Sequence, residues 1–227
     1  MDAALKQDSM RIMQSAIRAV LPERAVFRAL EDQRFPGRVI LVAVGKAAWQ
    51  MAKAAHDCLG DRIERGIVIT KYGHAGAPIA DFTCLEAGHP IPDENSCRAA
   101  LAAIDLVCGL SAQDTVLFLL SGGGSALFEA PLVPVSELQD ITAQLLASGA
   151  DIREINTIRK RLSAVKGGRF AALCAPAKVF SVVLSDVLGD RLDTIASGPA
   201  TADESTCEQA LAIAEKYRLR LGAQAKL

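Results

Sequence analysis

The 227-residue sequence has few aromatic residues, almost no net charge and no long hydrophobic run, and each absence excludes a class of protein. Phe, Trp and Tyr make up only 4% of the chain, so a surface that stacks nucleic-acid bases is not expected. The 25 Lys and Arg residues are matched by 26 Asp and Glu residues, which leaves no basic field to attract nucleic acid or a membrane surface. The longest apolar runs, 39–44 and 116–120, are far shorter than the about 20 residues of a membrane-spanning helix. The sequence therefore predicts neither a nucleic-acid nor a membrane partner.

Targeting segments and cysteine-based metal motifs are also missing. The N-terminal residues 1–14 are polar and lack the apolar stretch of a signal peptide. The six cysteines include no C-x-x-C pair, which argues against a zinc site. We therefore expect reduced, buried thiols in a cytoplasmic protein.

Apolar segments along the chain predict strands that alternate with helices. Five buried strands are expected, at residues 38–44, 66–70, 82–86, 115–120 and 178–184. The alternation is typical of an α/β protein with a mostly parallel, Rossmann-like sheet and helices on both faces, in three α/β/α layers. We treat residues 1–227 as a single domain.

Helix signals lie before and between these strands. An amphipathic helix is predicted in the first twenty residues, with an apolar stripe at Met10, Met13, Ile17 and Val20. Helix N-caps are predicted at Asp93, Ser136 and Asp151.

A glycine-rich segment follows the strand at 115–120. It consists of Ser121, Gly122, Gly123, Gly124 and Ser125. Glycines let backbone N–H groups approach an anion closely, so this position after a buried strand favours binding of a phosphate or carboxylate. The alternative is a flexible hairpin loop. A nucleophilic role for Ser125 is disfavoured because the G-x-S-x-G elbow is missing.

Lys46 follows the first strand, directly after Gly45 and at the start of a helix. A lysine is unfavourable beside the positive end of a helix dipole unless an anion lies nearby. The alternative is a solvated surface lysine. The surrounding residues match neither a phosphate-binding Walker loop nor the dinucleotide fingerprint G-x-G-x-x-G.

Hydrogen-bond donors are concentrated between residues 156 and 169. They include Asn156, Arg159 and Lys160, followed by Lys166, Gly167 and Gly168. Such a cluster in a chain without net positive charge suits a small phosphorylated molecule better than nucleic acid. The alternative is a solvated basic helix face.

Acidic residues and a histidine follow other strands, at the edge of the sheet where ligands bind. Asp186 and Asp190 follow the strand at 178–184, and His89 follows the strand at 82–86. Carboxylates beside a phosphate site suit Mg²⁺ as a bridging cation, and one of them could instead accept a proton from a substrate hydroxyl.

Several of these segments, in this order, together resemble one known family. They are Val44-Gly45-Lys46-Ala47-Ala48, Gly88-His89-Pro90-x-Pro92, Leu120 to Ala126, Asn156 to Gly168, Ser185-Asp186-x-x-Gly189-Asp190 and Ile195 to Pro199. Their order is similar to that of MOFRL-type glycerate 2-kinases, and the resemblance extends over about residues 39–200.

The resemblance implies ATP-dependent phosphorylation of D-glycerate to 2-phosphoglycerate with Mg²⁺. Lys46 would then contact the phosphates, and Asp186 and Asp190 would act on the metal or on the glycerate hydroxyl. The nucleotide would be bound by residues 121–125 together with Lys166, Gly167 and Gly168. Glycerate would be bound by His89, Asn156, Arg159 and Lys160.

Two other functions stay open. One is a nucleotide- or anion-binding module without turnover. The other is a hydroxypyruvate reductase, a label that some relatives carry, although the missing dinucleotide fingerprint argues against it.

Members of the family are considerably longer and have a second, C-terminal domain that supplies an active-site arginine. We therefore expect this chain to correspond to the N-terminal domain, with little or no turnover by itself. The resemblance leaves open that domain, or a second copy of the chain in a homodimer, as a partner.

Overall fold

A parallel five-stranded sheet forms the centre of the computed structural model, which describes residues 3–222 and 225. The strands are β1 Val39–Val44, β2 Ile63–Lys71, β3 Phe82–Ala87, β4 Thr115–Ser121 and β5 Lys178–Leu184. They lie in the order β3-β2-β1-β4-β5, and each neighbouring pair is parallel. The chain adds β2 and β3 on one side of β1 and then β4 and β5 on the other. The topological switch point, where open α/β sheets bind ligands, is therefore between β1 and β4.

Helices connect the strands, and the described part of the chain contains nine of them. They are α1 Ala3–Ala19, α2 Pro22–Leu30, α3 Ala48–Leu59, α4 Glu94–Val107, α5 Gly124–Leu127, α6 Val135–Ser148, α7 Ile152–Arg161, α8 Arg169–Leu173 and α9 Cys207–Lys216. The outermost residues of the predicted single domain, 1–2, 223–224 and 226–227, lie outside the described part.

Both faces of the sheet are covered, which confirms the predicted layers. Alternate side chains of β1 enter different cores, because successive residues of a strand point to opposite faces. Helices α2 and α3 pack on one face, and α4, α5 and α8 pack on the other. Helices α6, α7 and α9 form a smaller core of their own beside the sheet. The continuous apolar sequences of β1 and β4 follow from this double coverage.

Two of the three predicted helix caps are confirmed. The Asp93 side chain accepts a hydrogen bond from the Ser96 N–H, and Asp151 accepts bonds from the N–H groups of Arg153 and Glu154. The prediction at Ser136 is wrong, because α6 begins at Val135, two residues before the helix start that an N-cap at Ser136 predicts. Its N-cap is Pro134, which offers no side-chain acceptor.

The N-terminal helix is confirmed, but its apolar stripe does not join the core. None of the residues of α1 is buried among the described residues, and Met13 and Ile17 are 57% and 60% exposed. No helix in the described part is long and apolar enough to cross a lipid bilayer.

The expectation for the cysteines is correct only in part. All six thiols are free, as predicted. Only Cys174 is buried, however, whereas Cys84, Cys108 and Cys207 are exposed. Their apolar sequence neighbours were misleading, because helices and edge strands carry apolar and exposed positions side by side.

Three phenylalanines link β4 to the helices on one face of the sheet. The ring of Phe170 lies 5.0 Å from that of Phe118 and 5.1 Å from that of Phe128, measured between centroids. All three side chains are almost fully buried. Phe128 is the C-cap of α5 and Phe170 belongs to α8, so this contact joins both short helices to the sheet.

We expect Phe170→Ala to lower the free energy of unfolding by about 3–5 kcal/mol, because it leaves a cavity among the other two rings. Chemical denaturation measures the effect. Phe27→Ala is the control, since Phe27 is 43% exposed and its loss should cost less than about 1 kcal/mol. Equal costs at the two positions would contradict this description of the core.

Helices α7 and α9 are joined by one carboxylate. Glu154 Oε1 accepts a hydrogen bond from Lys216 Nζ and its Oε2 accepts one from the Tyr217 hydroxyl, both at 2.6 Å. The Lys216 ammonium and the Tyr217 hydroxyl lower the pKa of Glu154 from its ordinary 4.5 to about 2. The carboxylate is therefore bound more tightly in its charged form.

A group whose pKa is lower in the folded state contributes stability above its unfolded pKa and loses it as the pH falls. We therefore expect stability to decline between about pH 5 and pH 2, and Glu154→Gln to flatten this decline. Urea denaturation across that range measures it. Glu215→Gln, at an exposed position of α9, should leave the profile unchanged. A wild-type profile retained by Glu154→Gln would refute the assignment.

Candidate functional site

The carboxyl ends of β1 and β4 approach each other closely at the switch point. A Cβ atom placed on Gly45 would lie 2.2 Å from Ser121 Oγ and 2.5 Å from the Ser121 carbonyl oxygen. Gly45 also has a φ of +124°, which side chains rarely adopt. Only glycine fits here, and the predicted site begins at this contact.

Hydrogen bonds tie the segment after β1 to the segment after β4. The Lys46 N–H donates to the Gly122 carbonyl at 2.9 Å, and the Ala47 N–H donates to Ser121 Oγ at 3.1 Å. On the other side of β1, the Thr70 hydroxyl donates to the Gly45 carbonyl at 3.0 Å. These bonds fix the backbone of Lys46 against the glycine-rich segment.

Three of the predicted site residues converge on two of the glycines. A Cβ on Gly122 would lie 2.1 Å from Asp186 Oδ2. A Cβ on Gly123 would lie 3.2 Å from His89 Nε2 and 3.3 Å from Lys46 Cγ. The structure therefore brings together Lys46, His89 and Asp186, which come from the ends of three different strands.

The glycine-rich segment leaves donors available at this place. In the described part of the chain, the N–H groups of Gly122, Gly123 and Gly124 donate to no carbonyl in a turn or loop. Gly123 has a φ of +91° and is the N-cap of α5, whose first N–H groups lack acceptors within the helix. The segment thus offers free backbone donors beside a lysine, as predicted for an anion site.

Burial, and after it the positive charges of Lys46 and Lys71, lower the pKa of His89 below its ordinary 6.5. This shift favours the neutral imidazole, which can donate one hydrogen bond and accept another without adding to the positive charge of Lys46.

A buried hydroxyl connects the glycine-rich segment to α7. Ser197 Oγ lies 3.1 Å from Ser125 Oγ and donates to Asn156 Oδ1 at 2.8 Å. The Asn156 amide in turn donates to the Thr194 carbonyl at 3.3 Å. Asn156, predicted to bind glycerate, is 3% exposed and acts here as a link between elements.

The prediction that Lys166 binds the nucleotide is not supported by its position. Lys166 is fully buried, and its Nζ lies 2.8 Å from Glu129 Oε2 and 2.9 Å from the Phe128 carbonyl. Burial lowers the pKa of Lys166, and the Glu129 carboxylate opposes that effect. Sequence reasoning missed Glu129, although a single acid between Phe128 and Ala130 in an apolar stretch was a signal of a buried pair.

The backbone N–H groups of Gly167 and Gly168 also have acceptors within the protein. Their N–H groups donate to the carbonyls of Ser197 at 3.0 Å and Gly198 at 2.7 Å. These amides cannot at the same time donate to a phosphate, so this conformation does not favour nucleotide binding at this pair, and that role stays a prediction. The pair instead holds the turn at 195–198 in place.

Lys160 lies at a different place from Lys46. Its Nζ forms an ion pair with Asp203 at 3.2 Å, and its side chain is 7% exposed. Lys160 and Asn156 line a polar cavity of about 540 Å³ between α7, α9 and residues 191–205. Neither Lys46, His89 nor the glycine-rich segment lines this cavity, so the predicted glycerate residues do not all meet in one pocket.

The two predicted metal-binding aspartates are placed differently. Asp186 lies against Gly122, whereas Asp190 stands on an exposed turn with a φ of +49°. Within residues 3–222 and 225, no cluster of three His, Cys, Asp or Glu side chains could hold a metal ion by itself. Mg²⁺ commonly uses only one or two carboxylates and completes its shell with phosphate oxygens and water. The donor set at Asp186 fits such a shared ion, and a role of Asp190 stays a prediction.

Known proteins are similar to this chain over nearly its whole length. Residues 8–226 match the family described as "Domain of unknown function (DUF4147)". A D-glycerate 2-kinase from Thermotoga maritima is 57% identical over 225 residues, which are 98% of this chain and 54% of that protein. A putative hydroxypyruvate reductase from Agrobacterium vitis is 41% identical over 227 residues, or 99% of this chain and 51% of that protein.

The fold is similar to that of a solved structure as well. The crystal structure of a glycerate kinase from Thermotoga maritima superimposes with a TM-score of 0.94 and 55% identity. The match covers 99% of this chain and 55% of that one. The resemblance drawn from the motifs is confirmed, and the chain spans about half the length of the curated relatives it matches.

The close approach at the switch point can be tested with glycine substitutions at the two ends of α3. We expect Gly45→Ala to destabilise the fold by about 1–3 kcal/mol more than Gly60→Ala. Both positions have a positive φ, but a Cβ on Gly60 would meet nothing within 4 Å. Denaturation of both variants isolates the cost of the contact with Ser121. Equal destabilisation would show that the strand ends do not depend on it.

Proposed function

Because the chain belongs to the DUF4147 family and carries the switch-point site described above, we propose that it phosphorylates D-glycerate to 2-phosphoglycerate with ATP. The named activities of its relatives support this reaction. The observation that carries the proposal is the convergence of Lys46, His89 and Asp186 on Gly122 and Gly123. We place the reaction in the cytoplasm.

Phosphoryl transfer depends chiefly on positioning and on neutralising negative charge. The free N–H groups of residues 122–124 would hold phosphate oxygens, and the Lys46 ammonium would balance their charge. The backbone of Lys46 is bonded to Gly122, so its side chain stays beside the phosphate-binding segment. The imidazole of His89 would orient a substrate oxygen by a hydrogen bond.

Asp186 would hold Mg²⁺ at the edge of the glycine-rich segment. The bound ion would supply positive charge to the phosphate oxygens. Asp190 would act on the same ion or on the glycerate hydroxyl. The arginine of a second domain, which the resemblance implies, would add a further positive charge, and we expect turnover to be weak without it.

Two alternatives predict different results. A binding module would be stabilised by nucleotide without turnover. A hydroxypyruvate reductase would oxidise NAD(P)H with hydroxypyruvate, and the relative from Agrobacterium vitis carries that name.

The first test is ADP release with D-glycerate, ATP and Mg²⁺. We expect Lys46→Ala to lower the rate roughly 100-fold or more, because a charge at the transferring group is lost. Lys53→Ala is the matched control, since Lys53 is an exposed lysine on α3 that pairs with Asp57. It should retain the wild-type rate.

Turnover that is insensitive to Lys46→Ala would contradict the proposed site. Thermal stabilisation by ATP without any ADP release would favour the binding module. Oxidation of NAD(P)H by the wild-type chain would favour the reductase.

A further inference from the structure

The basic segment from 159 to 169 was predicted as one anion-binding surface, yet most of its cations have acceptors within the protein. Lys160 and Arg161 pair with Asp203. Lys166 pairs with Glu129, and Arg169 donates to the carbonyls of Lys160 and Ser163. These four side chains hold the fold together and are not free to bind a ligand.

Arg159 is the exception in this segment. Among residues 3–222 and 225, its side chain makes no hydrogen bond and no ion pair, and its Nε is fully shielded from solvent. An N–H group that is shielded from water and has no acceptor costs free energy, and an anion bound by this guanidinium would compensate that cost.

The surroundings of Arg159 carry an excess of positive charge. Arg159 and Lys166 are the two cations here, and Glu129 is the carboxylate that faces both. Glu129 Oε2 forms the ion pair with Lys166. Glu129 Oε1 has no hydrogen-bond donor among the described residues. One more negative charge would balance this group.

Arg159 also lies on the side of α7 that leads to the glycine-rich segment. Asn156 precedes it by three residues, so the two side chains are neighbours on the helix surface. Asn156 is joined through Ser197 to Ser125, the last residue of that segment. These hydrogen bonds connect the part of α7 that carries Arg159 with the glycine-rich segment.

We propose that Arg159 binds the carboxylate of the small acid that accepts the phosphoryl group. This inference rests on the proposed function, because it assigns the substrate's acid group to one residue of that site. The planar guanidinium matches a carboxylate with two parallel hydrogen bonds. A doubly charged phosphate is less suitable, because the neighbouring Glu129 repels it more strongly than a singly charged carboxylate.

The test measures binding directly, by titration calorimetry with D-glycerate, glycerol and ATP. We expect Arg159→Gln to weaken D-glycerate binding roughly 10- to 100-fold and to leave ATP binding unchanged. Glycerol, which has no carboxylate, should bind wild type and variant equally weakly. Arg153→Gln is the matched control, because Arg153 is an exposed arginine on the same helix, and it should bind D-glycerate as wild type does.

A second variant, Arg159→Lys, keeps the positive charge. It distinguishes a loss of binding from a loss of folding. It should fold with the wild-type melting temperature and still bind D-glycerate less tightly than wild type, since the two-pronged contact is lost. Unchanged D-glycerate affinity in Arg159→Gln would overturn the inference. So would a loss confined to ATP, or a wild-type chain that binds no D-glycerate.

Failure of the inference and failure of the proposed function give different results. Turnover that depends on Lys46, together with D-glycerate binding that is indifferent to Arg159, would refute the inference alone. D-glycerate binding that depends on Arg159, together with ADP release that is insensitive to Lys46→Ala, would support the inference and refute the proposed kinase site.

Discussion

The close approach of β1 and β4 at their carboxyl ends is the constraint on which the whole candidate site depends. Gly45 has no Cβ, so the Ser121 hydroxyl can sit against its backbone and accept the Ala47 N–H. The Lys46 N–H then reaches the Gly122 carbonyl. Backbone groups and the short side chain of Ser121 therefore set the spacing between the lysine and the glycine-rich segment, and no long, flexible side chain takes part. A site built this way is ready for its ligand before the ligand arrives.

The buried ion pair between Lys166 and Glu129 fixes the position of neighbouring segments more than it adds to the stability of the fold. The Lys166–Glu129 pair is completely out of water, and such pairs commonly gain no more from attraction than they lose in desolvation. Lys166 also donates to the Phe128 carbonyl at the end of α5. The pair thus holds the far end of the short helix that begins at the glycine-rich segment. Removing either partner alone would leave an uncompensated charge in the core.

The sequence was sufficient for the sheet because its strands contain local apolar runs, which are longest in the central strands β1 and β4. It also located Lys46, His89 and Asp186, since residues after parallel strands must meet at one edge. It could not show that the amides of Gly167 and Gly168 are taken by Ser197 and Gly198, about thirty residues further along the chain. Nor could it show that Lys166 faces Glu129. Both depend on contacts between segments distant in sequence, which no local pattern encodes.

On helix α7, contacts with distant segments distinguish polar side chains that hold the fold together from those that remain available for a ligand. Its polar side is largely buried, so each polar side chain there needs a partner inside the protein. Asn156 bonds to Ser197, and Lys160 and Arg161 pair with Asp203. On a solvated helix face the two kinds of group could not be told apart, because water would form hydrogen bonds with every polar side chain. On a buried face, a polar atom left without a partner among the described residues costs free energy that a bound ligand could recover, and the Nε of Arg159 is such an atom, which is why we propose this residue as the carboxylate-binding group.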